Sequence, residues 1–600
     1  MKLARASLLG LLLAAGPILA QTTTTENSSA SSQMTHDPAV ATVAGIVTKH
    51  PGGEPVKKAL VELIAENQTA GGNHTALTGA DGAFHIDGIA PGRYRLFAER
   101  SGYLEVDKHR PRSDGRLLTL RAGQELKDLL IRLQAAAVIE GRVTDEDGDP
   151  LAAAQVAVLR QTFALGRRHW EQAGAERTND LGEYRIANLP AGSYYISVTP
   201  PLDFKSLIEA ANAPVSDPRN AASGSPERPA PTSYKTTYYP GTKERTQAAP
   251  IDLHAGDDFP ANFSLTPSPS VLIRGSVTNL APGASALVML QSKDSNLTQS
   301  AAEVKKNGSF EIRDVSAGAY TLVATITDAS GTRLARQTVQ VGSENVDGIR
   351  LAPQAGGWVH GYLRLESKIK MGRFTPAKVF LSLLSAVGDD DGSSAMPTGA
   401  GFAALPHVIA DGSSEIGESF APLAHVNADG SFEWQDVPPG HYYIQFSGDE
   451  SVSPDWFLRS AVVAGRDVAD SGFSVNGGAA VLDLLASADG AVVDGLVANT
   501  KSEPVANAVV IAVPEPRFRS RTDRYYKTVT DQSGHFTLHG VPPGAYTLIA
   551  WESVDGEAYY NPEFLNKYEG QGRALHLTEG ERTSVQLGAV SWEEASADLH

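Results

Sequence analysis

The chain has 600 residues, no cysteine and a formal net charge of −18 at neutral pH. This length is sufficient for several domains, and the lack of cysteine excludes disulfides, a cysteine nucleophile and a lipidated cysteine anchor. The acidic balance argues against nucleic acid and anionic lipid as partners.

The first twenty residues have the pattern of an export signal. Residues 1–5 are basic, residues 8–15 form an apolar run too short to span a bilayer, and Ala20 ends a plausible cleavage site. We therefore expect a signal peptide over 1–20, followed by a flexible polar leader over 21–40. No later apolar run has the length of a membrane span, so the expected location is periplasmic or extracellular.

Five copies of one motif follow in fixed register. Each copy has a glycine, an aromatic residue two positions later, a second glycine ten positions after the first, and a tyrosine two positions beyond. The copies are Gly82, Phe84, Gly92 and Tyr94; Gly182, Tyr184, Gly192 and Tyr194; Gly308, Phe310, Gly318 and Tyr320; Gly430, Phe432, Gly440 and Tyr442; and Gly534, Phe536, Gly544 and Tyr546. Such a repeat indicates one small structural unit per copy.

The residue types within the motif predict turns and strands. An Asp or Asn precedes the first glycine of each copy, which favours an Asx-type turn and a positive φ at the glycine. The apolar alternation after each glycine predicts two adjacent antiparallel strands, joined by a Pro-Gly or Ala-Gly turn, with the motif aromatics in the core.

Each copy also opens with a strand that carries a glycine, and most close with a Gly-centred turn and a last strand. The opening glycines are Gly45, Gly141, Gly275, Gly361 and Gly495. About seven short strands per copy predict an all-β chain, namely a tandem array of about five seven-stranded β-sandwiches with a few short helices in loops.

The intervals between copies give the predicted boundaries. They are sandwich 1 over 41–135, sandwich 2 over 136–268 with an insertion at 200–247, sandwich 3 over 269–355, sandwich 4 over 356–488 with an insertion at 386–422, sandwich 5 over 489–590, and an acidic tail over 591–600. Long loops of this kind either bind ligands or remain disordered.

The combined pattern of Gly-x-Val, Gly-x-Pro, Asp-x-x-Gly-x-Phe and Pro-Pro-Gly-x-Tyr resembles the carboxypeptidase regulatory-like domain, a transthyretin-like sandwich with a carbohydrate-binding-like fold. The resemblance is strongest in copies one, two and five; copy three lacks Gly-x-Pro, and a long insertion interrupts copy four. The whole chain is similar to multi-copy secreted bacterial proteins of this type. The resemblance implies an accessory or binding role without peptidase activity.

Residues with catalytic or metal-binding chemistry are few. His576 and Glu579 have the spacing of one fragment of a zinc carboxypeptidase site, but the alternation predicts a solvent-facing His576 on a closing strand without companion ligands. The acidic runs 145–149 and 389–391 could supply oxygen ligands to calcium, although Asp-Gly is also the common hairpin turn and charge runs are usually solvated. We therefore predict no enzyme activity, no cofactor and no metal site.

Aromatic residues outside the motif are the candidates for ligand binding. Alternation from Tyr546 places Trp551 on the opposite face of its strand, with Tyr559 and Tyr560 in the following loop. Trp551 could stack on a sugar ring, or it could pack under Phe564 of the short helix that follows. Tyr238 and Tyr239 in the insertion of copy two could likewise either contact a sugar or pack within the domain.

Three possible functions remain open from the sequence. The first is a secreted protein that binds glycan or another envelope component through loops and outward aromatics. The second is a scaffold rod that contacts another exported protein through edge strands and inter-domain grooves. A third is a set of accessory domains for a peptidase supplied by another chain. Exposed and aligned aromatics would favour the first class, and aromatics buried under local helices the second.

Overall fold

The computed structural model describes residues 40–66, 72–105, 115–200, 232–281, 283–293, 298–328, 331–353, 356–366, 379–385, 402–408, 414–448 and 454–597. The predicted signal peptide, residues 21–39 of the predicted leader and parts of both predicted insertions lie outside these ranges. Within them the chain forms successive β-sandwiches, and the predicted all-β fold is confirmed. No helix in the described ranges is long and apolar enough to cross a membrane.

Sandwiches 1 and 2 contain strands β1 to β18. In sandwich 1 they are β1 (Ala41–Lys49), β2 (Leu60–Ala65), β3 (His74–Leu77), β4 (Ala83–Ile89), β5 (Gly92–Glu99), β6 (Tyr103–Glu105), β7 (Arg116–Leu120) and β8 (Glu125–Ala135). In the segment of sandwich 2 they are β9 (Ala137–Thr144), β10 (Gln155–Ala164), β11 (Arg167–Arg177), β12 (Glu183–Leu189), β13 (Gly192–Thr199), β14 (Thr232–Tyr234), β15 (Thr237–Tyr238), β16 (Ile251–Leu253), β17 (Asp258–Pro260) and β18 (Phe263–Ser264). Of these, β14 pairs into a sheet of sandwich 3.

Sandwiches 3 and 4 contain strands β19 to β35. In sandwich 3 they are β19 (Pro267–Val277), β20 (Ser285–Ser292), β21 (Thr298–Glu303), β22 (Ser309–Ser316), β23 (Gly318–Asp328), β24 (Gly331–Val341) and β25 (Val346–Leu351). In sandwich 4 they are β26 (Gly357–Glu366), β27 (Phe380–Ser385), β28 (Phe402–Val408), β29 (Ser414–His425), β30 (Ser431–Val437), β31 (Gly440–Ser447), β32 (Phe457–Val463), β33 (Arg466–Asp467), β34 (Phe473–Val475) and β35 (Ala479–Ser487).

Sandwich 5 adds two short α-helices to its strands. The elements are β36 (Ala491–Ala498), β37 (Val509–Pro514), β38 (Tyr526–Val529), β39 (His535–Val541), β40 (Gly544–Trp551), α1 (Pro562–Tyr568), β41 (Arg573–Leu577), β42 (Arg582–Val590) and α2 (Trp592–Ala597). Helix α2 occupies part of the segment predicted as an acidic tail, and its Ala595 is fully buried.

One sheet of every sandwich follows the same plan. In this arrangement the opening strand is central. On one side it pairs antiparallel with the strand that begins just after the first motif glycine. On the other side it pairs parallel with the closing strand or strands. The triplets are β4-β1-β8, β12-β9-β17 (with β18 also on β9), β22-β19-β25, β30-β26-β35 and β39-β36-β42. The sequence repeat is therefore also a repeat of strand order.

The prediction that the two motif strands pair with each other is wrong. In sandwich 1, β4 pairs with β1, whereas β5 pairs with β2 and β7 in the opposite sheet. The chain crosses between the sheets at the Pro-Gly or Ala-Gly turn in sandwiches 1 to 4. In sandwich 5 the motif strands β39 and β40 also do not pair with each other, but they belong to one seven-stranded sheet, in which β36 and β42 lie between them. A proline offers no N–H to a ladder, so these turns are poor hairpin turns. Both motif aromatics still reach one core, because they approach it from opposite sides.

The motif tyrosines hold this crossing in place. In four copies the tyrosine hydroxyl donates a hydrogen bond to the carbonyl oxygen four residues earlier, at 2.7 to 2.9 Å: Tyr94 to Ala90, Tyr194 to Pro190, Tyr320 to Ser316 and Tyr442 to Pro438. The geometry is comparable with the tyrosine corner of other sandwiches. Burial raises the pKa of Tyr194 and of Tyr442 to about 12.

The first motif glycine has the predicted backbone. Gly82 has φ of 75°, and the four equivalent glycines have φ between 74° and 88°. Asp81 Oδ1 accepts a hydrogen bond from the Ala83 N–H in the predicted Asx-type turn. A Cβ at Gly82 would lie 2.5 Å from the Val47 carbonyl oxygen, so the turn also requires the close approach that only glycine allows.

A candidate ligand-binding surface

Trp551 lies in the interior of sandwich 5. Its side chain is fully buried, stacked on Phe564 of α1 with ring centroids 6.1 Å apart. The predicted alternation is correct, since Tyr546 belongs to the core between the sheets and Trp551 to a second apolar cluster on the other face. The possibility that Trp551 stacks on a sugar is contradicted, because α1 and α2 cover that face.

The neighbouring tyrosines belong to the same covered cluster. Tyr559 is only 3% exposed, and Tyr560 packs edge-on against Tyr525 at 4.7 Å between ring centroids. Burial raises the pKa of Tyr560 well above its ordinary value. Neither ring presents a free face for a ligand.

Residues of sandwich 2 also cover the Trp551 face of sandwich 5. The tip of its β10–β11 hairpin, residues 163–166, enters sandwich 5, and Phe163 joins the second apolar cluster. The Phe163 carbonyl accepts a hydrogen bond from the Glu557 N–H at 2.9 Å. Asn561 Nδ2 donates to the Gly166 carbonyl at 2.9 Å. The aromatic residues of sandwich 5 therefore form an interface within the chain.

The predicted pair in sandwich 2 is also structural. Tyr238 is 4% exposed in β15, which pairs with β13. Tyr239 packs edge-on against Phe259 and Phe263, with centroid distances of 5.9 and 6.2 Å. Both rings are part of the packing of sandwich 2, which contradicts their predicted role as ligand contacts.

The remaining polar candidates have local roles. His576 is exposed on β41, as its alternation predicted. Asp145 Oδ1 accepts hydrogen bonds from the N–H groups of Asp147 and Asp149, which makes the first acidic run a turn. The second acidic run, 389–391, lies outside the described residues. Among the residues that are described, no three His, Asp or Glu side chains are grouped as metal ligands.

Sandwich 5 also contacts sandwiches 1 and 4. Gln532 exchanges two hydrogen bonds of 2.9 Å with the backbone of Thr119 on the edge strand β7. The nearly buried Arg521 donates to the carbonyls of Ala469 and Asp470 at 2.5 and 2.8 Å, and its guanidinium lies 4.1 Å from the Tyr443 ring centroid. Sandwich 5 thus touches three other sandwiches, two of them distant in sequence.

An uncovered aromatic face lies on sandwich 4, on a strand without any motif aromatic. Strand β26 places Val359 and Leu363 in the core, whereas Trp358 and Tyr362 face outward and remain 47% and 59% exposed. Val481 on β35, opposite His360 in the parallel register, is 58% exposed. We call Trp358, His360, Tyr362 and Val481 the platform.

Close backbone packing beneath the platform makes it rigid. A Cβ at Gly361 would lie 1.9 Å from the Leu482 carbonyl oxygen and 3.0 Å from the Phe432 ring. The glycine therefore lets the motif aromatic and the parallel strand pack directly under β26. The outward side chains are held on the central part of a five-stranded sheet rather than on a loop.

The aromatic rings of the platform are oriented by their neighbours. The Trp358 indole stacks on the His360 imidazole with centroids 4.0 Å apart and an interplanar angle of 22°. The indole N–H donates a hydrogen bond of 3.2 Å to Glu433 Oε2 on β30. These two contacts position the indole while nearly half of the residue stays accessible to a ligand.

Polar groups surround the apolar rings. Arg364 is bound to Asp483 by two hydrogen bonds of 3.2 and 2.8 Å. A shallow pocket of about 240 Å³ adjoins Trp358 and is lined by Gly356, Gly357, Gln435 and Asp436. Apolar rings beside a few convergent polar groups are the usual composition of a small-ligand site.

Only copy four has aromatic residues at these positions of the opening strand. The equivalents of Trp358, His360 and Tyr362 are Thr42, Ala44 and Ile46 in copy one, Val138, Glu140 and Arg142 in copy two, Leu272, Arg274 and Ser276 in copy three, and Val492, Asp494 and Leu496 in copy five. The repeated motif does not include these residues and therefore does not indicate the platform. Alignment of the five copies on their opening glycines shows the three aromatic residues of copy four, but not that they are exposed.

Comparison with known proteins identifies the domain type. Residues 42–134, 138–202 and 492–564 match the carboxypeptidase regulatory-like domain family. The predicted resemblance is therefore confirmed in copies one, two and five, the copies in which it was strongest. No curated protein matches the chain.

Several solved structures are similar to parts of the chain. The Bacillus anthracis TIE protein has 10% identity and a TM-score of 0.14, with 76% of each chain covered. A streptococcal ancillary pilin has 10% identity and a TM-score of 0.18, covering 52% of this chain and 99% of the pilin. The major pilin subunit BcpA of Bacillus cereus has 9% identity and a TM-score of 0.14, with 52% and 99% covered.

Proposed function

We propose that this chain is an exported, non-catalytic binding protein that captures glycan through the platform of sandwich 4. The observation that carries the proposal is the exposure of Trp358 and Tyr362 on a rigid sheet face, in the one copy whose opening strand has aromatic residues. Packing within the sandwich uses only part of the Trp358 ring, and the exposed part offers an apolar surface to the C–H face of a sugar.

The polar surroundings of the platform support a glycan as the ligand. Sugars present hydroxyl groups around an apolar ring face, so a matching site needs both aromatic rings and hydrogen-bonding groups. Gln435 and Asp436 in the pocket supply an amide and a carboxylate beside Trp358. Glu433 already orients the indole, so little ordering is needed upon binding.

The alternative function, an extended rod that acts as a scaffold for other proteins, has less support. Sandwich 5 contacts sandwiches 1 and 2 as well as sandwich 4, so the chain turns back on itself. These contacts also use some of the edge strands and grooves through which a rod would engage other proteins. Sandwiches 1, 2 and 5 are better understood as the framework that carries sandwich 4.

The proposal is tested by glycan-array screening of the chain from residue 21 onward, followed by titration with the glycans retained. We expect Trp358→Ala to weaken binding at least about tenfold, as for a central aromatic contact. Leu496→Ala is the matched control, because Leu496 is exposed at the position of copy five that corresponds to Tyr362. Unchanged binding by the Trp358→Ala variant, or no glycan retained at all, would refute the proposal.

A further inference from the structure

We propose that the platform selects a non-acidic, extended oligosaccharide of at least three sugar units, bound along β26 from the pocket at Gly356 to Tyr362. This inference rests on the proposed function and specifies its ligand class. It follows from the spacing of the rings, the charges around them and the position of the pocket.

The spacing sets the minimum length. Trp358 and Tyr362 are four residues apart on one strand, so their Cα atoms are about 13 Å apart along the strand direction. The indole face turned toward His360 is covered by the imidazole, so a sugar stacks on the opposite face. That face and the Tyr362 ring are farther apart than adjacent sugars of an oligosaccharide, and they therefore contact non-adjacent sugars. A ligand that reaches both contains at least three units.

The arrangement of the side chains on the sheet determines the shape of the glycan that fits. Trp358, His360 and Tyr362 occupy alternate positions of one strand and form a row, not a cup. Val481 extends the apolar surface sideways onto β35, at the level of His360. A row of this kind fits a chain that is extended, whereas a curved or branched glycan would contact only one of the two exposed rings.

The charges exclude an acidic ligand. Glu433, Asp436 and Asp483 are the carboxylates of the platform and its pocket, and Arg364 is the cation beside them. Arg364 is already bound to Asp483 by two hydrogen bonds. A uronic acid, sulfate or phosphate would therefore meet unfavourable charge here, in a protein whose net charge is −18.

The pocket gives the ligand one fixed end. Gly356 and Gly357 contribute no side chains, and a Cβ at Gly356 would lie 2.4 Å from the Asp436 backbone. The two glycines thus pack tightly against the protein backbone, and the pocket lies beside the indole, where Gln435 and Asp436 line it and can hydrogen-bond the hydroxyl groups of one sugar. Binding is expected to be strongest there, with Tyr362 adding affinity only for longer chains.

Calorimetric titration of the full chain with oligosaccharides of one to six units tests the inference. The neutral probes are cello-, xylo-, manno-, laminari- and chito-oligosaccharides; oligogalacturonides serve as acidic probes and chitosan oligosaccharides as cationic probes. For the neutral series that binds, we expect affinity to rise at least about tenfold between the disaccharide and the tetrasaccharide. Tyr362→Ala should remove this rise without changing disaccharide affinity, and Trp358→Ala should weaken every length.

Several outcomes would overturn the inference while the proposed function stands. They are tighter binding of the acidic series than of any neutral or cationic series, full affinity already at the disaccharide, or a length dependence that Tyr362→Ala leaves intact. If the platform is instead an interface, sedimentation velocity would show a dimer that Trp358→Ala dissociates. That result, or an absence of binding to both the array and the panel, would refute both proposals. Binding to the array without binding to any oligosaccharide of the panel would overturn the inference alone.

Discussion

Sandwiches 4 and 5 each carry aromatic residues on the outer face of a sheet, but only one of these faces is covered. In sandwich 5, α1, α2 and Phe163 of sandwich 2 enclose Trp551, which is fully buried. In sandwich 4 none of the described segments covers Trp358 and Tyr362, which are 47% and 59% exposed.

The comparison shows that the same residue type serves two purposes. A covered tryptophan contributes apolar burial and joins one sandwich to the next, whereas an exposed tryptophan on an equally regular sheet contributes little to stability.

Trp551→Ala should have the largest effect. Removing a fully buried indole is expected to lower the free energy of unfolding by about 3–5 kcal/mol. The change would appear in chemical denaturation followed by circular dichroism. Trp551→Phe is the matched control and should cost much less, because the buried indole N–H has no hydrogen-bond partner to lose. An alanine variant as stable as the parent would mean that the face is not covered.

Phe163→Ala should weaken the junction between sandwiches 2 and 5. Phe163 is 8% exposed, and its loss should destabilise the junction by about 2 kcal/mol while each sandwich stays folded. Hydrogen exchange of residues 555–561 should become faster. If exchange were unchanged in this segment, the β10–β11 hairpin would not be part of the cover.

Tyr442→Phe should reduce the loss of stability at high pH. The folded pKa of Tyr442 is about 12, above the ordinary value of 10.0, so its contribution is full below pH 10 and is lost as the pH rises toward 12. Denaturation midpoints between pH 8 and 12 should therefore fall less steeply in this variant. At neutral pH the lost hydrogen bond should cost about 1 kcal/mol. An equally steep decline in parent and variant would contradict the buried environment of this tyrosine.

Tyr362→Ala should have the smallest effect on stability. An exposed residue on a regular sheet is expected to change the free energy of unfolding by no more than about 0.5 kcal/mol, and the same holds for Leu496→Ala. Thermal denaturation of both variants would measure this. A large loss in the Tyr362 variant alone would show that the platform is covered in the folded protein.

Much of the fold could be predicted from the repeat. The spacing of Gly82, Phe84, Gly92 and Tyr94 and its four counterparts correctly predicted the sandwiches, the positive φ of the first glycine and the inward position of the aromatics. These features depend on local backbone conformation and on the two-residue period of a strand, and both are present in the order of the amino acids. For the same reason, alternation correctly placed Trp551 on the face opposite Tyr546.

The partners of each strand and the cover over each face depend on residues far apart in sequence. Nothing local indicates that β4 and β5 belong to different sheets, that Phe163 would reach the cluster around Trp551, or that Trp358 would remain exposed. Alternation shows which side of a strand a residue occupies, but burial depends on what packs against that side. The covered face of sandwich 5 and the open platform of sandwich 4 therefore arise from long-range packing, which local sequence patterns do not report.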